Sequence, residues 1–183
     1  MKTLLVGFRK YAGHDSNPSE RILSLFKGKE DVETLLLEAS YAKTKSDLCK
    51  AIEEIEPSFV LIANLSPFHH SPVLEQYAYN EMNAPCEDAD GNLKSGETIL
   101  PDGPKSLTCP FDLSRFSQFL MAEEIENSIS VDGGRFFCNE AYYLALSSGI
   151  PSLLIHLPLE SDCPLEEDEK LIEGVLSVAS KNI

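Results

Sequence analysis

Two periods of apolar residues run along the chain and predict strands that alternate with helices. Short apolar runs predict buried strands, and apolar residues three or four positions apart predict amphipathic helices. The predicted strands are 3–6, 33–39, 58–65, 127–131 and 151–157, with 73–80 as a strand or extended edge. The predicted helices are 18–27, 46–56, one that begins at Asp112 or Ser114, one that contains Cys138, and 165–181. This order predicts an α/β protein, a three-layer α/β/α sandwich with a mostly parallel central sheet, with residues 1–183 as one domain.

Residues suited to helix ends mark several of these boundaries. Asn17 is suited to the N-cap of the first helix, with Pro18 at its first position and Glu20 at the capping-box spacing. Ser46 is expected to cap the second helix. Gly149 is expected to end the helix that contains Cys138, because glycine readily adopts the left-handed conformation that follows many helices.

One long segment, 81–110, has no clear period and is rich in proline, glycine and acidic residues. A loop of this length in a compact protein is usually functional or contains a hairpin. Asp90, Gly91 and Asn92 provide a suitable hairpin turn within it.

Composition and charge narrow the functional classes. The formal net charge of −15 disfavours binding to a phosphate backbone, so no nucleic-acid partner is expected. No run of about 18 apolar residues is present, so no membrane partner is expected. Five cysteines without CxxC spacing argue against a disulfide framework and a zinc cluster, and suit a reducing cytoplasm. Neither GxGxxG nor GxxxxGK[ST] is present, which argues against a nucleotide site.

Cys138 is the strongest candidate for chemistry. It follows the apolar segment 127–131 and the turn-forming residues Asp132, Gly133 and Gly134, and it falls in the first turn of the next helix. Free backbone N–H groups and the positive end of the helix dipole favour a thiolate at this position. The same N–H groups could hold a developing oxyanion.

His156 is the candidate proton partner for Cys138, because it ends the next apolar strand. In a parallel strand–helix–strand unit both residues would face one crevice at the carboxyl edge of the sheet. The alternative is a buried structural cysteine with a histidine satisfied in the core. The residues alone leave both interpretations open.

Four segments resemble the pyroglutamyl peptidase I (pyrrolidone-carboxylate peptidase) family. They occur in the family's order, and weaker likeness continues through the long segment 81–110. The segments are GF..Y.G...NP at 7–18, E..A.N at 75–80, S.DGGRFFCN at 130–139 and IHLP at 155–158. The resemblance implies a phosphorylase/hydrolase-like sandwich and a cysteine exopeptidase that removes N-terminal pyroglutamate from peptides.

The resemblance also implies the roles of particular residues. Cys138 would be the nucleophile, His156 the proton carrier and Glu75 the group that orients the imidazole. The backbone N–H groups of Phe137 and Cys138 would bind the oxyanion.

The resemblance further places Phe8, Tyr11 and Asn17 around the lactam ring of the substrate, a peptide with N-terminal pyroglutamate. No cofactor and no metal is expected. Members of the family associate, so the resemblance leaves a homo-oligomer open, although the sequence does not give the oligomeric state.

Several positions depart from the family pattern. Tyr11 stands where the family usually has phenylalanine, Gln76 where it commonly has a basic residue, and Pro85 where it usually has arginine. The glycine-rich turn before Glu75 is replaced by SPFHHSP at 66–72, and the interval from Cys138 to the histidine is shorter. Adjacent histidines cannot easily share one ion, so this segment is interpreted as a surface loop.

The departures leave two other functions open. One is a degenerate family member that binds a ligand or partner without hydrolysis. The other is a redox sensor based on Cys138, although no resolving cysteine is near it in the sequence.

Overall fold

A central six-stranded sheet organises the protein, which is described by a computed structural model covering residues 1–182. The order of strands across this sheet is β2-β1-β3-β10-β4-β9, and two further pairs, β5-β8 and β6-β7, lie outside it. The strands are β1 Thr3–Phe8, β2 Val32–Leu37, β3 Phe59–Leu65, β4 Val73–Glu75, β5 Tyr77–Tyr79, β6 Met82–Asn83, β7 Ser95–Glu97, β8 Ser106–Thr108, β9 Ser128–Ser130 and β10 Ser152–Leu157.

Five helices in the described part of the chain cover the two faces of the sheet. They are α1 Pro18–Phe26, α2 Tyr41–Ile55, α3 Leu113–Ala122, α4 Phe137–Ser147 and α5 Leu165–Ser180. Apolar residues of α2 and α4 pack in one cluster on one face, and those of α1, α3 and α5 pack in a second cluster on the other. The predicted three-layer α/β/α sandwich is confirmed. None of the helices within residues 1–182 combines the length and apolar character needed to cross a membrane.

The alternation of side chains along each strand explains why the central strands read as continuous apolar runs. In β3, Val60 and Ile62 belong to the cluster under α2 and α4, whereas Leu61 belongs to the cluster on the opposite face. Successive side chains of a strand point to opposite faces, so a strand covered on both sides is apolar at nearly every position, and Asn64 is the polar exception in β3. All seven residues of β3 are buried, which agrees with its prediction as a strand at 58–65.

The edge of the sheet beyond β10 differs from the prediction. β4 runs antiparallel to β10, with Val73 opposite His156, and β9 runs parallel to β4. The interpretation of β9, α4 and β10 as one parallel strand–helix–strand unit is therefore wrong, because β4 lies between the two strands and reverses direction. The segment 127–131 is also not a buried strand, because β9 is the sheet edge and Val131 is 63% exposed.

Helix α1 begins as predicted, with Asn17 at the N-cap accepting a hydrogen bond from the backbone N–H of Ser19. Glu20 does not complete the capping box, and its carboxylate pairs instead with Arg9. Helix α4 is followed by Gly149 at a φ of 82°, as the sequence predicts.

Helix α2 begins earlier than predicted. Its N-cap is Ser40, whose Oγ accepts a hydrogen bond from the backbone N–H of Lys43 and donates one to Asp90. Ser46, the expected cap, lies inside the helix, where its Oγ donates to the backbone carbonyl of Lys43. Both serines suit a cap, and the contact with Asp90 from the distant loop favours the first.

The long segment 81–110 contains a short hairpin, which was one of its two expected contents. β6 pairs antiparallel with β7, and Gly91 adopts a φ of 79° in the turn region between them. The carboxylate of Asp88 organises this connection, because its Oδ1 accepts hydrogen bonds from the backbone N–H groups of Asp90 and Asn92. β8 returns to pair with β5, and the hydroxyl of Tyr143 in α4 donates a hydrogen bond to the backbone carbonyl of Pro104 in this segment.

Replacement of the α2 cap should destabilise the protein. We expect Ser40→Ala to lower the free energy of unfolding by about 1–2 kcal/mol, because it leaves a backbone N–H of the first turn without an acceptor. Ser46→Ala is the matched control and should change it by less than about 0.5 kcal/mol, since that side chain is exposed. Urea unfolding followed by circular dichroism measures both, and equal losses would contradict the assignment of the cap.

Candidate active site

A glycine turn places Cys138 at the start of α4. Asp132 Oδ1 accepts a hydrogen bond of 3.1 Å from the backbone N–H of Gly134, and Gly134 has a φ of 77°. Gly133 lies against Glu75, and a Cβ at this glycine would come within 2.8 Å of the Cδ atom of that glutamate. The turn therefore needs glycine at both positions, once for the backbone angle and once for the close approach.

Helix α4 is anchored to β4 and β5 by two buried side chains. Asn139 accepts a hydrogen bond of 2.8 Å from the backbone N–H of Tyr79 and donates to the backbone carbonyls of Tyr79 and Glu81. The hydroxyl of Tyr142 donates to the backbone carbonyl of Glu75 at 3.1 Å. These bonds set the distance between the start of α4 and the strand that carries the glutamate.

Three predicted residues meet in one hydrogen-bonded chain. The Sγ atom of Cys138 is 3.5 Å from Nε2 of His156, and Nδ1 of the same ring is 2.9 Å from Oε1 of Glu75. Glu75 is fully buried, and Cys138 and His156 are nearly so. The predicted proximity of cysteine and histidine is confirmed.

The antiparallel orientation of β4 relative to β10 brings Glu75 to His156. Val73 pairs with His156 across the ladder, so Glu75, two residues further along β4, projects from the same face of the sheet. Cys138 approaches that face from above on α4. The three side chains therefore meet on the α4 face of the sheet, at the carboxyl ends of β3 and β10, beside the crevice that the sequence predicts.

The electrostatics of the site favour a charged imidazole. Burial alone would lower the pKa of His156, but the hydrogen bonds with Cys138 and Glu75 outweigh it and raise this pKa to about 10. A protonated imidazole donates from both ring nitrogens, so it can bond the carboxylate and the sulfur at once. The contact is suited to an imidazolium–thiolate pair.

The start of α4 also offers free hydrogen-bond donors next to the sulfur. Within residues 1–182, no acceptor is found for the backbone N–H groups of Phe137 and Cys138. Such groups at a helix N-terminus bind negative charge. Their place beside a developing oxyanion stays a prediction.

A cavity of about 490 Å³ opens over Cys138 and His156. Its volume lies within the usual range for small-molecule sites. Its walls combine aromatic rings with a few polar groups, including Tyr11, Asn64, Phe68, His69, Pro85, Cys86, Arg135 and Phe136. A second cavity, of about 530 Å³, lies beside residues 100–104, and its lining includes none of Cys138, His156 and Glu75. The cavity over Cys138 is therefore the candidate substrate site.

Of the three residues expected around the lactam ring, only Tyr11 lines this cavity. Phe8 is fully buried behind it, with its ring 4.8 Å from that of Phe137. Asn17 is also buried, and its Nδ2 donates to Oδ1 of Asn64, which is in the wall. The expected pocket position of Phe8 and Asn17 is therefore corrected to a supporting position behind the wall.

The hydroxyl of Tyr11, which stands where the resemblance expects phenylalanine, is hydrogen-bonded within the protein. It donates a hydrogen bond of 2.6 Å to the backbone carbonyl of Leu65 and accepts one of 3.3 Å from Asn64. Burial raises the pKa of this phenol, which therefore stays neutral. The aromatic ring, not the hydroxyl, is the part of Tyr11 that is available to a ligand.

The segment 66–72 is more than a surface loop. His70 is exposed as expected, with Nδ1 3.1 Å from the carboxylate of Asp162, but His69 turns into the cavity and lies beside His156. Burial and the neighbouring charge of His156 lower the pKa of His69. The position of this segment directly after β3, at the carboxyl ends of parallel strands, is the signal that could have identified it.

Arg135 also lines the cavity, and no local sequence pattern marks it as a site residue. Its guanidinium lies 3.6 Å from the ring of Tyr79, pairs with Asp132, and approaches Glu81 at 3.6 Å. Pro85, which stands where the resemblance expects arginine, lines the same cavity. A guanidinium is therefore present in this wall, although it comes from another segment of the chain.

The sequence profile of one family, described as pyroglutamyl peptidase, matches residues 1–159. The chain belongs to the pyroglutamyl peptidase family. It is 29% identical over 168 residues to the pyrrolidone-carboxylate peptidase of Pyrococcus furiosus, covering 86% of this chain and 81% of that protein. The pyrrolidone-carboxylate peptidase of Coprothermobacter proteolyticus is 26% identical over 203 residues, covering 100% and 98%.

Solved structures from the pyroglutamyl peptidase family share the fold. The crystal structure of pyrrolidone carboxyl peptidase from Pyrococcus furiosus superposes with a TM-score of 0.93 at 25% identity, covering 100% of this chain and 99% of that one. The pyrrolidone carboxyl peptidase of Fervidobacterium islandicum superposes with a TM-score of 0.91 at 24% identity, covering 98% of each chain. Membership in this family makes the protein a cysteine-type peptidase, with a cysteine and a histidine in contact.

The charge on His156 can be tested directly. Glu75→Gln should lower the pKa of the His156 ring from about 10, because a neutral amide no longer stabilises the imidazolium. Histidine ring NMR signals followed against pH measure this change. Glu81→Gln is the matched control, because Glu81 faces Arg135 instead. An unchanged His156 titration in Glu75→Gln would contradict the assigned hydrogen bond.

Proposed function

We propose that this member of the pyroglutamyl peptidase family is an active exopeptidase that removes N-terminal pyroglutamate from peptides with Cys138, His156 and Glu75. The continuous contact from sulfur through imidazole to buried carboxylate is the observation that carries the proposal. These three groups supply a nucleophile, a proton carrier and an orienting charge beside one cavity.

Acylation begins with attack of the Cys138 sulfur on the carbonyl carbon that follows the pyroglutamyl ring. The carbonyl oxygen becomes negative and is held by the backbone N–H groups of Phe137 and Cys138. His156 carries the proton taken from the thiol and donates it from Nε2 to the departing amine. The peptide leaves with a new N-terminus, and the pyroglutamyl group remains on sulfur as a thioester.

Deacylation uses the same groups with water as the nucleophile. Nε2 of His156 takes a proton from the water as it attacks the thioester, and the sulfur of Cys138 leaves. Glu75 holds Nδ1 throughout, so the ring cannot rotate away between the two steps. Free pyroglutamate is released, and the imidazolium–thiolate pair is restored.

The cavity suits an uncharged flat ring. Aromatic faces of Tyr11 and Phe136 form one side, with ring centroids 5.4 Å apart. Flat neutral ligands gain most from apolar walls with a few polar anchors. Phe8 and Asn17 serve this pocket indirectly, because they support Phe137 and Asn64 from behind.

Three departures from the family pattern, at Tyr11, Pro85 and the segment 66–72, bring residues into the cavity wall, and none of them replaces one of the three reacting groups. Pro85 and the segment 66–72 change the surface that a substrate meets, whereas the contacts of the imidazole are intact. A degenerate member that only binds a ligand is not favoured, because it would have no need for a buried carboxylate held on a histidine. The wall changes instead bear on which peptides are accepted.

The proposal also covers the cellular compartment of the enzyme, its domain organisation and its self-association. All five cysteines are free, which supports a reducing compartment such as the cytoplasm. Both apolar clusters share one sheet, which supports folding of the chain as a single domain. The family resemblance is the basis for proposing self-association. Analytical ultracentrifugation measures it.

Removal of the nucleophile is the primary test. Wild-type protein should hydrolyse a pyroglutamyl-coumarin amide, and Cys138→Ala should lose at least about 1,000-fold in kcat/KM, because no other group forms the thioester. Cys86→Ala is the matched control, since Cys86 lines the same cavity without contact to the histidine. No turnover by pure wild-type protein, or equal losses in the two variants, would refute the proposal.

The role of the carboxylate has its own test. Glu75→Gln should lower kcat/KM by roughly 100- to 10,000-fold, because the amide no longer stabilises the charged imidazole or fixes its orientation. Glu81→Gln should retain most of the activity, since its carboxylate faces Arg135. Steady-state kinetics from pH 6 to about 10 compare the two, and comparable losses would rule out Glu75 as the orienting group.

A further inference from the structure

His69 brings a second imidazole to the reacting groups. Its ring centroid lies 6.3 Å from that of His156, with the planes inclined by 31°. Its backbone N–H bonds the carbonyl of Ser66 at 3.4 Å, which forms a turn directly after β3. The ring is half-buried and lines the cavity from which substrate would enter.

His69, Glu75 and His156 form a set of potential metal ligands. One ligand atom from each of the three lies within 4.8 Å of the other two. Two imidazoles and one carboxylate are a ligand set typical of Zn²⁺, which binds such groups at about 2.0–2.2 Å in tetrahedral geometry. It is the only such group of histidine, cysteine and carboxylate side chains found within residues 1–182.

An independent observation concerns the carboxylate itself. Oε1 of Glu75 accepts the hydrogen bond from His156, but Oε2 is buried and has no partner among the described residues. A buried carboxylate oxygen normally has a hydrogen bond or a cation next to it. The hydrogen-bond network thus leaves one strong acceptor free inside the ligand set.

We propose that His69, Glu75 and His156 form an inhibitory Zn²⁺ site in this protein. The fourth position of the ion is open to water or to the Cys138 sulfur, which is 3.5 Å from His156. Binding displaces a ring proton from His156 to the buffer and occupies the nitrogen that carried it. With the ion on either ring nitrogen, the imidazole has no lone pair left to accept the thiol proton.

The inhibitory effect rests on the proposed role of His156 in catalysis, whereas binding of the ion does not. Binding is therefore measured separately from turnover, in a Cys138→Ser background that removes the reactive thiol. The neighbouring His70 supplies a matched control, because it is the same residue type on the same loop but turns to Asp162. His69→Ala and His69→Gln both remove the imidazole, and the second keeps a side chain of similar size.

The binding test is titration of the Cys138→Ser protein with zinc chloride in a calorimeter. Groups that merely support a ligand are worth about 10–100-fold in metal affinity, so loss of a direct ligand should raise the Kd at least tenfold. Both His69 variants should show this rise, and His70→Ala should keep the parent Kd. An unchanged Kd in the His69 variants, an equal rise in His70→Ala, or no saturable binding would overturn the proposal.

The inhibition test uses the otherwise wild-type chain and the pyroglutamyl-coumarin substrate. Zinc chloride should inhibit, EDTA should restore the rate, and the His69 variants should need at least about tenfold more zinc for half-inhibition than His70→Ala. Equal sensitivity of the His69 and His70 variants would overturn the inhibitory site. If wild-type protein lacked turnover, the proposed peptidase function would fail while calorimetry still decided whether the metal site exists.

Discussion

The hydrogen bond between His156 and the buried carboxylate of Glu75 is the interaction on which the site depends. A carboxylate with no exposed surface is costly unless an opposite charge or strong donors compensate it. The imidazole supplies that compensation, and the carboxylate in turn stabilises the charged form of the imidazole. Each group therefore lowers the free-energy cost of burying the other. Cys138 completes the arrangement, because the second ring nitrogen then faces a sulfur at the positive end of a helix.

The fold brings the carboxylate of Glu75 to His156 because β4 runs antiparallel to β10. If β4 ran parallel to β10, its side chains would enter the ladder in a different register, and the carboxylate would not stand diagonal to the histidine. Gly133 then lets the turn before α4 pack directly on the glutamate, which excludes water from the pair. Asn139 and Tyr142 tie the helix to the same strands, so the sulfur and the carboxylate are positioned by one set of contacts.

The departures that the resemblance indicates at Tyr11, Pro85 and the segment 66–72 lie in the surfaces around this centre. The rings that face the cavity come from three separate segments, the loop after β1, the segment after β3 and the start of α4. Such segments tolerate change because they do not carry the sheet, whereas a change at the buried pair would leave a charge uncompensated. Changes in these segments therefore leave the contact between His156 and Glu75 in place.

The sequence by itself determined the elements whose signals are local: the apolar run of β3, the cap at Asn17, the glycine turn and the place of Cys138 in the first turn of a helix. It also carried the family likeness that pointed to His156 and Glu75. Only the tertiary structure decided which of Ser40 and Ser46 caps α2, how β4 is oriented, and which way His69 turns. Those outcomes depend on contacts between residues far apart in the chain, such as Ser40 with Asp90 and His69 with His156, and no local periodicity encodes them.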